Sequence, residues 1–354
     1  MRLLCRITTQ FLKNNFYSKR QSVLTCSSLF APKRLLTTST VLKDLNGNEF
    51  RIPTPYGHIA AVEYGDPNGH PVLAVHGWKD NVGSFEPLLP HIIEHNNLHV
   101  IAIDETGCGH SSHMPRGSQY PMFAPLKDMR RVINFLEWKN FSILGHSRGA
   151  GFSFYYAAFF PESVQCFISI DFFGSYFTKE LCPFYKQEAS NIDKILKFEQ
   201  SGNGSSENRR IYTEEEAIKS LMKATDFALT EKSAQILMKR GTKPQNGGVV
   251  FTRDSKQNLP YLDPLHSKVE YLELMSKVKC DVLIIMASKG MFSTYDNKDL
   301  FNVLQQNCRS FKQVRMEGDH FLHMDIPEQV ASHINPFFEQ SIQKGAITNL
   351  VFAL

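Results

Sequence analysis

The 354-residue sequence has only seven cysteines, and they follow no pattern. No pair has the CxxC spacing and no Cys/His set has the spacing of a zinc site, which excludes the common zinc and dithiol motifs. An odd, scattered set is typical of reduced thiols in an intracellular protein rather than of a disulfide framework. The seven are Cys5, Cys26, Cys108, Cys166, Cys182, Cys280 and Cys308.

Long apolar runs are also missing. No run of eighteen or more apolar residues occurs, so the sequence predicts no membrane-spanning helix. With 42% apolar and 21% charged residues, the chain has the composition of a globular protein that can bury a sizeable core. Its length fits one large α/β domain with an insertion, or two modest domains.

Acidic residues are absent from positions 1–40, which hold seven Lys and Arg residues and many Ser and Thr residues. This composition is typical of a mitochondrial transit peptide, and the continuous apolar segment of a secretory signal is missing. We therefore expect a mitochondrial protein, with a cytoplasmic protein that carries a disordered basic tail as the alternative. The last residues, 352–354, do not form a peroxisomal address.

The net charge of +4 comes from this leader, because the rest of the chain has 32 Lys and Arg against 35 Asp and Glu residues. No basic stripe occurs after the leader. Nucleic acid is therefore not an expected partner.

Beyond residue 40, short apolar runs alternate with amphipathic stretches, which predicts a mostly parallel sheet with helices on both faces. The α/β core is expected at 41–172 and 278–344, with a helical lid inserted at 173–277. We expect strand 59–64 to lie at an edge of the sheet. The other expected strands are 71–75, 98–103, 141–144, 164–170, 282–286 and 311–315, and the helices of the core are 123–137, 150–160, 296–306 and 327–340.

A lid inserted between core strands would lie over the carboxyl ends of the strands, where open α/β sheets bind ligands. Three aromatic residues near its start, Phe177, Phe184 and Tyr185, suggest an apolar acyl or aryl group in the substrate. They fit the internal core of a lid equally well.

The segment 145–149, Gly-His-Ser-Arg-Gly, follows the strand at 141–144 and precedes the helix at 150–160. A serine at such a turn has a strained backbone and a hydroxyl that projects above the sheet, and small flanking residues let strand and helix come close. This context predicts that Ser147 is a nucleophile.

A serine hydroxyl needs a base within hydrogen-bonding reach, and histidine is the usual base at neutral pH. Among 13 histidines, His320 is favoured, because it lies in a loop between a predicted strand and a helix at the same sheet edge as Ser147. His323 is the competitor and is expected to pack or hydrogen-bond near the site.

Attack on a carbonyl creates an oxyanion that needs two N–H donors. We expect the backbone N–H groups of Arg148, directly after the nucleophile, and of Trp78, in the loop after the strand at 71–75.

An acid that orients the histidine is missing from its common position, the turn after the strand at 282–286, which reads Ala-Ser-Lys-Gly-Met at 287–291. Asp171, at the end of the strand at 164–170, is on the right edge of the sheet and is the favoured acid. It could also be a structural residue at the start of the lid, and Asp296 is the reserve candidate.

Four motifs occur in a set order: His76-Gly77-Trp78, the segment 104–111, the segment 145–149 and the segment 318–328. With them, residues 50–340 resemble an α/β-hydrolase. The segments 76–81 and 251–254 and the turn at 289–292 resemble the serine hydrolase-like, or kraken-like, group. The segment 161–171 resembles the dehalogenase-type branch, whose acid lies at this strand end, so the resemblance supports Asp171.

The resemblance and the residues together predict a serine hydrolase that acts on an ester, thioester or related acyl bond, with no metal or organic cofactor. A serine where dehalogenases and epoxide hydrolases have an aspartate argues against both of those activities. A scaffold without catalysis that binds a ligand or protein is the alternative from another class. Haloperoxidase or carbon–carbon hydrolase chemistry would use the same serine. The natural substrate, beyond a small acyl compound, and the oligomeric state are not predicted.

Overall fold

An eight-stranded sheet organises the part of the chain that the computed structural model describes, residues 47–174, 181–201, 209–261, 267–294 and 297–351. Its strands are β1 (Asn48–Thr54), β2 (Gly57–Gly65), β3 (His70–Val75), β4 (Leu98–Ile103), β5 (Phe141–His146), β6 (Val164–Ile170), β9 (Asp281–Ala287) and β10 (Ser310–Met316). A separate hairpin contains β7 (Thr242–Gln245) and β8 (Gly248–Phe251). The leader at 1–40, Phe177 and Asp296 lie outside the described residues, as do the side chains of Phe184 and Tyr185.

The strand order in the sheet is β1-β2-β4-β3-β5-β6-β9-β10, and the six strands from β4 to β10 are parallel. The central strands β5, β6 and β9 are mostly apolar and are buried along their whole length, as expected for a sheet covered on both faces. The register pairs His146 with Ile170 and Ile170 with Ile285. The loops that follow β5, β6 and β9 therefore begin side by side at one sheet edge.

The strand predicted at 59–64 is β2, but its expected edge position is wrong, because β1 pairs with it on the outside. β1 is antiparallel to β2 and joins it through a tight turn at Pro55-Tyr56. Only Ile52 of β1 is buried, and Pro53 has no backbone N–H to donate to a neighbouring strand. Both features are typical of an edge strand. This weak apolar pattern explains why the strand was missed.

Helices cover both faces of the sheet. The helices of the described residues are α1 (Leu89–Ile93), α2 (Ala124–Leu136), α3 (Arg148–Phe159), α4 (Leu181–Gln200), α5 (Glu214–Ala224), α6 (Glu231–Gly241), α7 (Lys268–Met275), α8 (Lys298–Asn307), α9 (Leu322–Asp325) and α10 (Pro327–Val351). One apolar core joins β3 and β5 to α2, α3 and α8, and a second on the opposite face joins β3, β5 and β6 to α1 and α10.

The inserted segment contains α4 to α7, and it also contains the hairpin β7–β8, which the prediction of a helical lid did not include. Asn246 and Gly247 form the hairpin turn with positive φ angles of 46° and 78°. An Asn-Gly pair between two short strands is a strong hairpin signal, so this element was readable from the sequence.

Contacts tie the inserted segment to the loops at the carboxyl ends of the strands. The Trp78 indole N–H donates to the Gln257 carbonyl over 3.2 Å, and the Asn81 amide donates to the Leu237 carbonyl over 2.9 Å. Arg240 binds Asp104 through a 2.6 Å ion pair. In the described part of the chain, no helix combines the length and the apolarity needed to cross a membrane.

Candidate active site

Ser147 lies at a sharp turn between β5 and α3, with φ 51° and ψ −123°. Its N–H donates to the Ile170 carbonyl over 2.9 Å, so the strained turn is held against the neighbouring strand. A Cβ at Gly145 would lie 2.6 Å from the Ala150 Cα, and a Cβ at Gly149 would lie 2.3 Å from the Val75 carbonyl oxygen. Both flanking positions therefore require glycine, which is the physical basis of the Gly-x-Ser-x-Gly pattern.

His320 lies in the loop between β10 and α9, and its side chain reaches Ser147. The His320 Nε2 is 2.8 Å from the Ser147 Oγ, and the imidazole is buried. On its other side, the His320 Nδ1 is 2.5 Å from the Asp171 Oδ2. A proton on Nδ1 leaves Nε2 free to accept the serine proton, so the contact with the carboxylate sets the tautomer that a base needs.

Asp171 is the first residue after β6, and its side chain is fully buried. Its backbone has a positive φ of 42°, and its N–H donates to the Ile285 carbonyl over 2.7 Å. The Oδ1 that does not face His320 accepts the Ala287 N–H over 2.8 Å. The neighbouring strand β9 thus fixes both the backbone and the carboxylate of Asp171, which suits a residue that orients an imidazole.

The structure does not bring His323 to Ser147. Its ring is fully buried, and neither ring nitrogen has a hydrogen-bond partner among the described residues. The His323 ring packs 4.1 Å from that of His146 and 5.8 Å from that of Phe85, measured between ring centroids. Burial holds the pKa of His323 well below its usual value, so it is a neutral packing residue.

His146 contacts the loop of the base, and the sequence motifs did not predict this role. Its Nε2–H donates to the His320 backbone carbonyl over 3.0 Å, which ties the loop of the base to the turn of Ser147. The His146 Nδ1 lies 3.5 Å from the Asp80 Oδ2. Burial is the main cause that lowers the pKa of His146. The sequence feature that could have pointed to His146 is its position directly before Ser147.

The two expected oxyanion donors lie on neighbouring loops. Arg148 begins α3, and Trp78 lies in the loop after β3. The start of α3 packs on this loop, since a Cβ at Gly149 would lie 2.4 Å from the His76 carbonyl oxygen. The Arg148 guanidinium pairs with the Glu105 carboxylate and donates to the Tyr261 hydroxyl over 2.7 Å. The side chain of Arg148 is therefore engaged by Glu105 and Tyr261, and the group expected to bind the oxyanion is its backbone N–H.

Cys108 and metal binding give the described part of the site no further chemistry. The Cys108 thiol is fully buried, and burial raises its pKa far above the usual value, so it stays protonated. Among the described residues, no group of three or more His, Cys, Asp or Glu side chains is arranged to hold a metal ion.

The chain is similar in sequence to known proteins. Residues 70–327 match the family model of the alpha/beta hydrolase fold. The serine hydrolase-like protein of Danio rerio is 34% identical over 88% of this chain and 93% of its own length. The probable serine hydrolase of Drosophila melanogaster is 33% identical over 83% of this chain and 88% of its own length.

Solved structures show the same architecture. A hypothetical protein from Pseudomonas aeruginosa PAO1 is similar with a TM-score of 0.71 and 29% identity, covering 82% of this chain and 99% of that one. The thioesterase domain from the curacin biosynthetic pathway has a TM-score of 0.66 at 22% identity, covering 81% of this chain and 98% of that one. At this identity the second likeness concerns the fold alone.

Proposed function

Since this chain belongs to the alpha/beta hydrolase fold family, we propose that it is a serine hydrolase that cleaves an ester, thioester or related acyl bond. The observation that carries the proposal is the hydrogen-bonded series Asp171–His320–Ser147, with its distances of 2.5 Å and 2.8 Å. Its members come from three loops far apart in sequence and meet at one sheet edge. The names of the fish and insect relatives agree with this proposal.

In the proposed mechanism, the Ser147 Oγ attacks the carbonyl carbon of the substrate while His320 Nε2 takes the hydroxyl proton. The carboxylate of Asp171 stabilises the imidazolium that forms. Backbone N–H groups of Trp78 and Arg148 donate to the oxyanion. When the tetrahedral intermediate collapses, His320 protonates the leaving group, and an acyl-enzyme remains.

Deacylation repeats these steps with water as the nucleophile. His320 takes a proton from the water, the hydroxide adds to the acyl carbon, and Ser147 leaves as the protonated alcohol. Proton transfer and oxyanion stabilisation both come from the protein, so we propose no metal or organic cofactor for the reaction.

The alternative of a scaffold without catalysis was based on the missing acid after β9. The contact of the Asp171 carboxylate with His320 argues against that alternative, because an acid reaches the base from β6 instead. Haloperoxidase and carbon–carbon hydrolase chemistry would use the same serine site, and substrate screening distinguishes them.

A fluorophosphonate probe tests the proposal, since it reacts quickly only with an activated serine. We expect rapid labelling of the wild-type protein and none of Ser147→Ala, while Ser332→Ala, at an exposed serine of α10, is labelled like the wild type. Absence of labelling in the folded wild-type protein would overturn the proposal. A series of p-nitrophenyl esters then measures the preferred acyl chain.

A further inference from the structure

A narrow, solvent-open cleft lies between the loop after β3 and the inserted segment. Lys79, Asp80 and Asn81 line it from the loop after β3, and Arg253 lines it from the inserted segment. Ser147 does not line the cleft. The cleft borders the candidate site through Lys79, which directly follows Trp78, and through Asp80, which contacts the ring of His146.

Lys79 and Arg253 are the cations in the lining of the cleft. The Lys79 Nζ lies 3.7 Å from the centroid of the Trp78 ring, and the Arg253 guanidinium lies 4.2 Å from the centroid of the Phe251 ring. In the ranges that the structure describes, neither forms a salt bridge, whereas nearby Arg148 pairs with Glu105. Both cations therefore retain hydrogen-bond donors for an anion.

Asp80 is the acidic residue in the lining of the cleft, and its carboxylate is directed toward His146, 3.5 Å away. The lining thus carries one positive charge in excess. Burial is the first cause that lowers the pKa of Lys79 to about 8, and repulsion by Arg253 and Arg148 adds to it. An anion in the cleft would relieve this repulsion and replace the lost hydration.

Part of the lining is apolar, with Leu221 from α5 and Leu237 and Met238 from α6. A cleft with an apolar wall and two cations suits a carbon chain that ends in a negative charge. Because Lys79 follows the residue whose N–H is proposed to bind the oxyanion, such a chain and the reacting carbonyl would belong to the same molecule.

We propose that Lys79 and Arg253 bind a carboxylate of the substrate, so that the enzyme acts on acyl compounds with a second, negatively charged end. This inference rests on the proposed function, and it adds a charged group to the apolar acyl substrate expected from the sequence. Arginine and lysine both bind carboxylates by charge-assisted hydrogen bonds, and arginine does so through two parallel N–H donors.

A matched pair of esters tests the proposal. Mono-p-nitrophenyl glutarate and p-nitrophenyl pentanoate have acyl chains of equal length that end in a carboxylate and a methyl group, respectively. We expect the wild-type enzyme to have the higher kcat/KM for the glutarate ester. In Arg253→Met and in Lys79→Met, the ratio of the two kcat/KM values should fall at least tenfold. The ratio cancels any general loss of activity.

The matched control is Lys243→Met, at an exposed lysine of β7 in the same inserted segment, which should keep the wild-type ratio. A wild-type ratio of one or less, or a ratio unchanged in Arg253→Met, would overturn the carboxylate site while leaving the hydrolase proposal intact.

A binding measurement separates this inference from the proposed function. The chain has two tryptophans, so Ser147→Ala combined with Trp138→Phe leaves Trp78, beside Lys79, as the reporter. Glutarate should change its fluorescence saturably, neutral glutaramide should not, and Arg253→Met should weaken the binding. Saturable binding without turnover of any ester would contradict the hydrolase proposal alone. Absence of a saturable change would contradict the carboxylate site.

Discussion

Gly290, in the turn after β9, lies directly against the carboxylate of Asp171. A Cβ at position 290 would be 2.2 Å from the Asp171 Oδ2 and 2.3 Å from the Oδ1, well inside van der Waals contact. The acid that enters from β6 therefore occupies the space beside the turn where the acid is commonly found. The turn after β9 therefore has glycine instead of an acid, because the carboxylate of Asp171 already fills the space that a side chain at position 290 would need.

Replacing the acid tests its proposed role in orienting His320. Asp171→Asn keeps the size of the side chain but removes the charge that stabilises the imidazolium, and its amide can donate to Nδ1 and select the wrong tautomer. We expect kcat for a p-nitrophenyl ester to fall on the order of 10³- to 10⁴-fold, with a parallel fall in the rate of fluorophosphonate labelling.

The control for this substitution is Asp193→Asn, at an exposed aspartate of α4, which should leave kcat unchanged. Turnover of Asp171→Asn close to that of the wild type would show that another acid serves His320, or that the imidazole needs none.

Moving the acid to the turn after β9 is a second test. Gly290→Asp alone should abolish activity, because two carboxylates would compete for one buried volume. Asp171→Gly accepts the positive φ at position 171 and empties that volume. We expect the double variant Asp171→Gly/Gly290→Asp to have a kcat at least tenfold above that of Asp171→Gly. Equal activities would mean that a carboxylate from the second loop does not reach His320.

The sequence predicted the residues whose position follows from local rules. Ser147 and His320 each lie at a strand end with a recognisable turn, and parallel strands bring their carboxyl ends to one edge. Asp171 followed from the same rule. The need for glycine at position 290 could not be predicted in this way. It depends on the carboxylate of Asp171, which lies 119 positions away in the sequence and packs against position 290 only in the fold.

The cleft with Lys79 and Arg253 could not be predicted from the sequence. The two residues lie in different segments, and neither belongs to a pattern that indicates a ligand. Their surroundings depend on the hairpin β7–β8, which the sequence did not predict, since Arg253 lies two residues after the end of β8. The sequence does not show which charges pair in the fold. Arg148 and Arg240 form ion pairs with carboxylates, whereas Lys79 and Arg253 form no salt bridge with any residue that the structure describes.

Acid sensitivity of the fold is expected from His323. Its pKa is well below 6.5 in the folded protein, whereas an unfolded histidine titrates near 6.5. Below about pH 6.5 the unfolded state therefore binds a proton that the folded state does not, so the unfolding free energy falls as the pH falls. His146 acts in the same direction. The slope is about 1.4 kcal/mol per pH unit for each such group.

Replacing this histidine with leucine removes one of the two groups, and neither ring nitrogen of His323 has a hydrogen bond to lose within the described residues. Between pH 7.5 and pH 5, we expect His323→Leu to lose about 2 kcal/mol less unfolding free energy than the wild type, measured by urea unfolding. His95→Leu, at an exposed histidine, is the control. Parallel losses in wild type and His323→Leu would assign the acid sensitivity to other groups.

Lys79 should give the preference for a carboxylate substrate its own pH dependence. Its pKa of about 8 means that the free enzyme carries this charge below pH 8 and loses it above, while the guanidinium of Arg253 stays charged. The groups that act on Lys79 are the cations Arg253 and Arg148 and the Cys108 thiol, and Asp80 follows it in the same lining. The ratio of kcat/KM values for the glutarate and pentanoate esters should therefore fall between pH 7 and pH 9.5 without reaching one.

Two variants separate this effect from titration of the catalytic groups, which act equally on both esters and cancel in the ratio. Lys79→Arg keeps a cation at every pH of the series, so its ratio should stay high and flat, whereas the ratio of Lys79→Met should be low and flat. A wild-type ratio that is constant through pH 8 would mean that the charge of Lys79 does not contact the substrate, and that Arg253 alone binds the carboxylate.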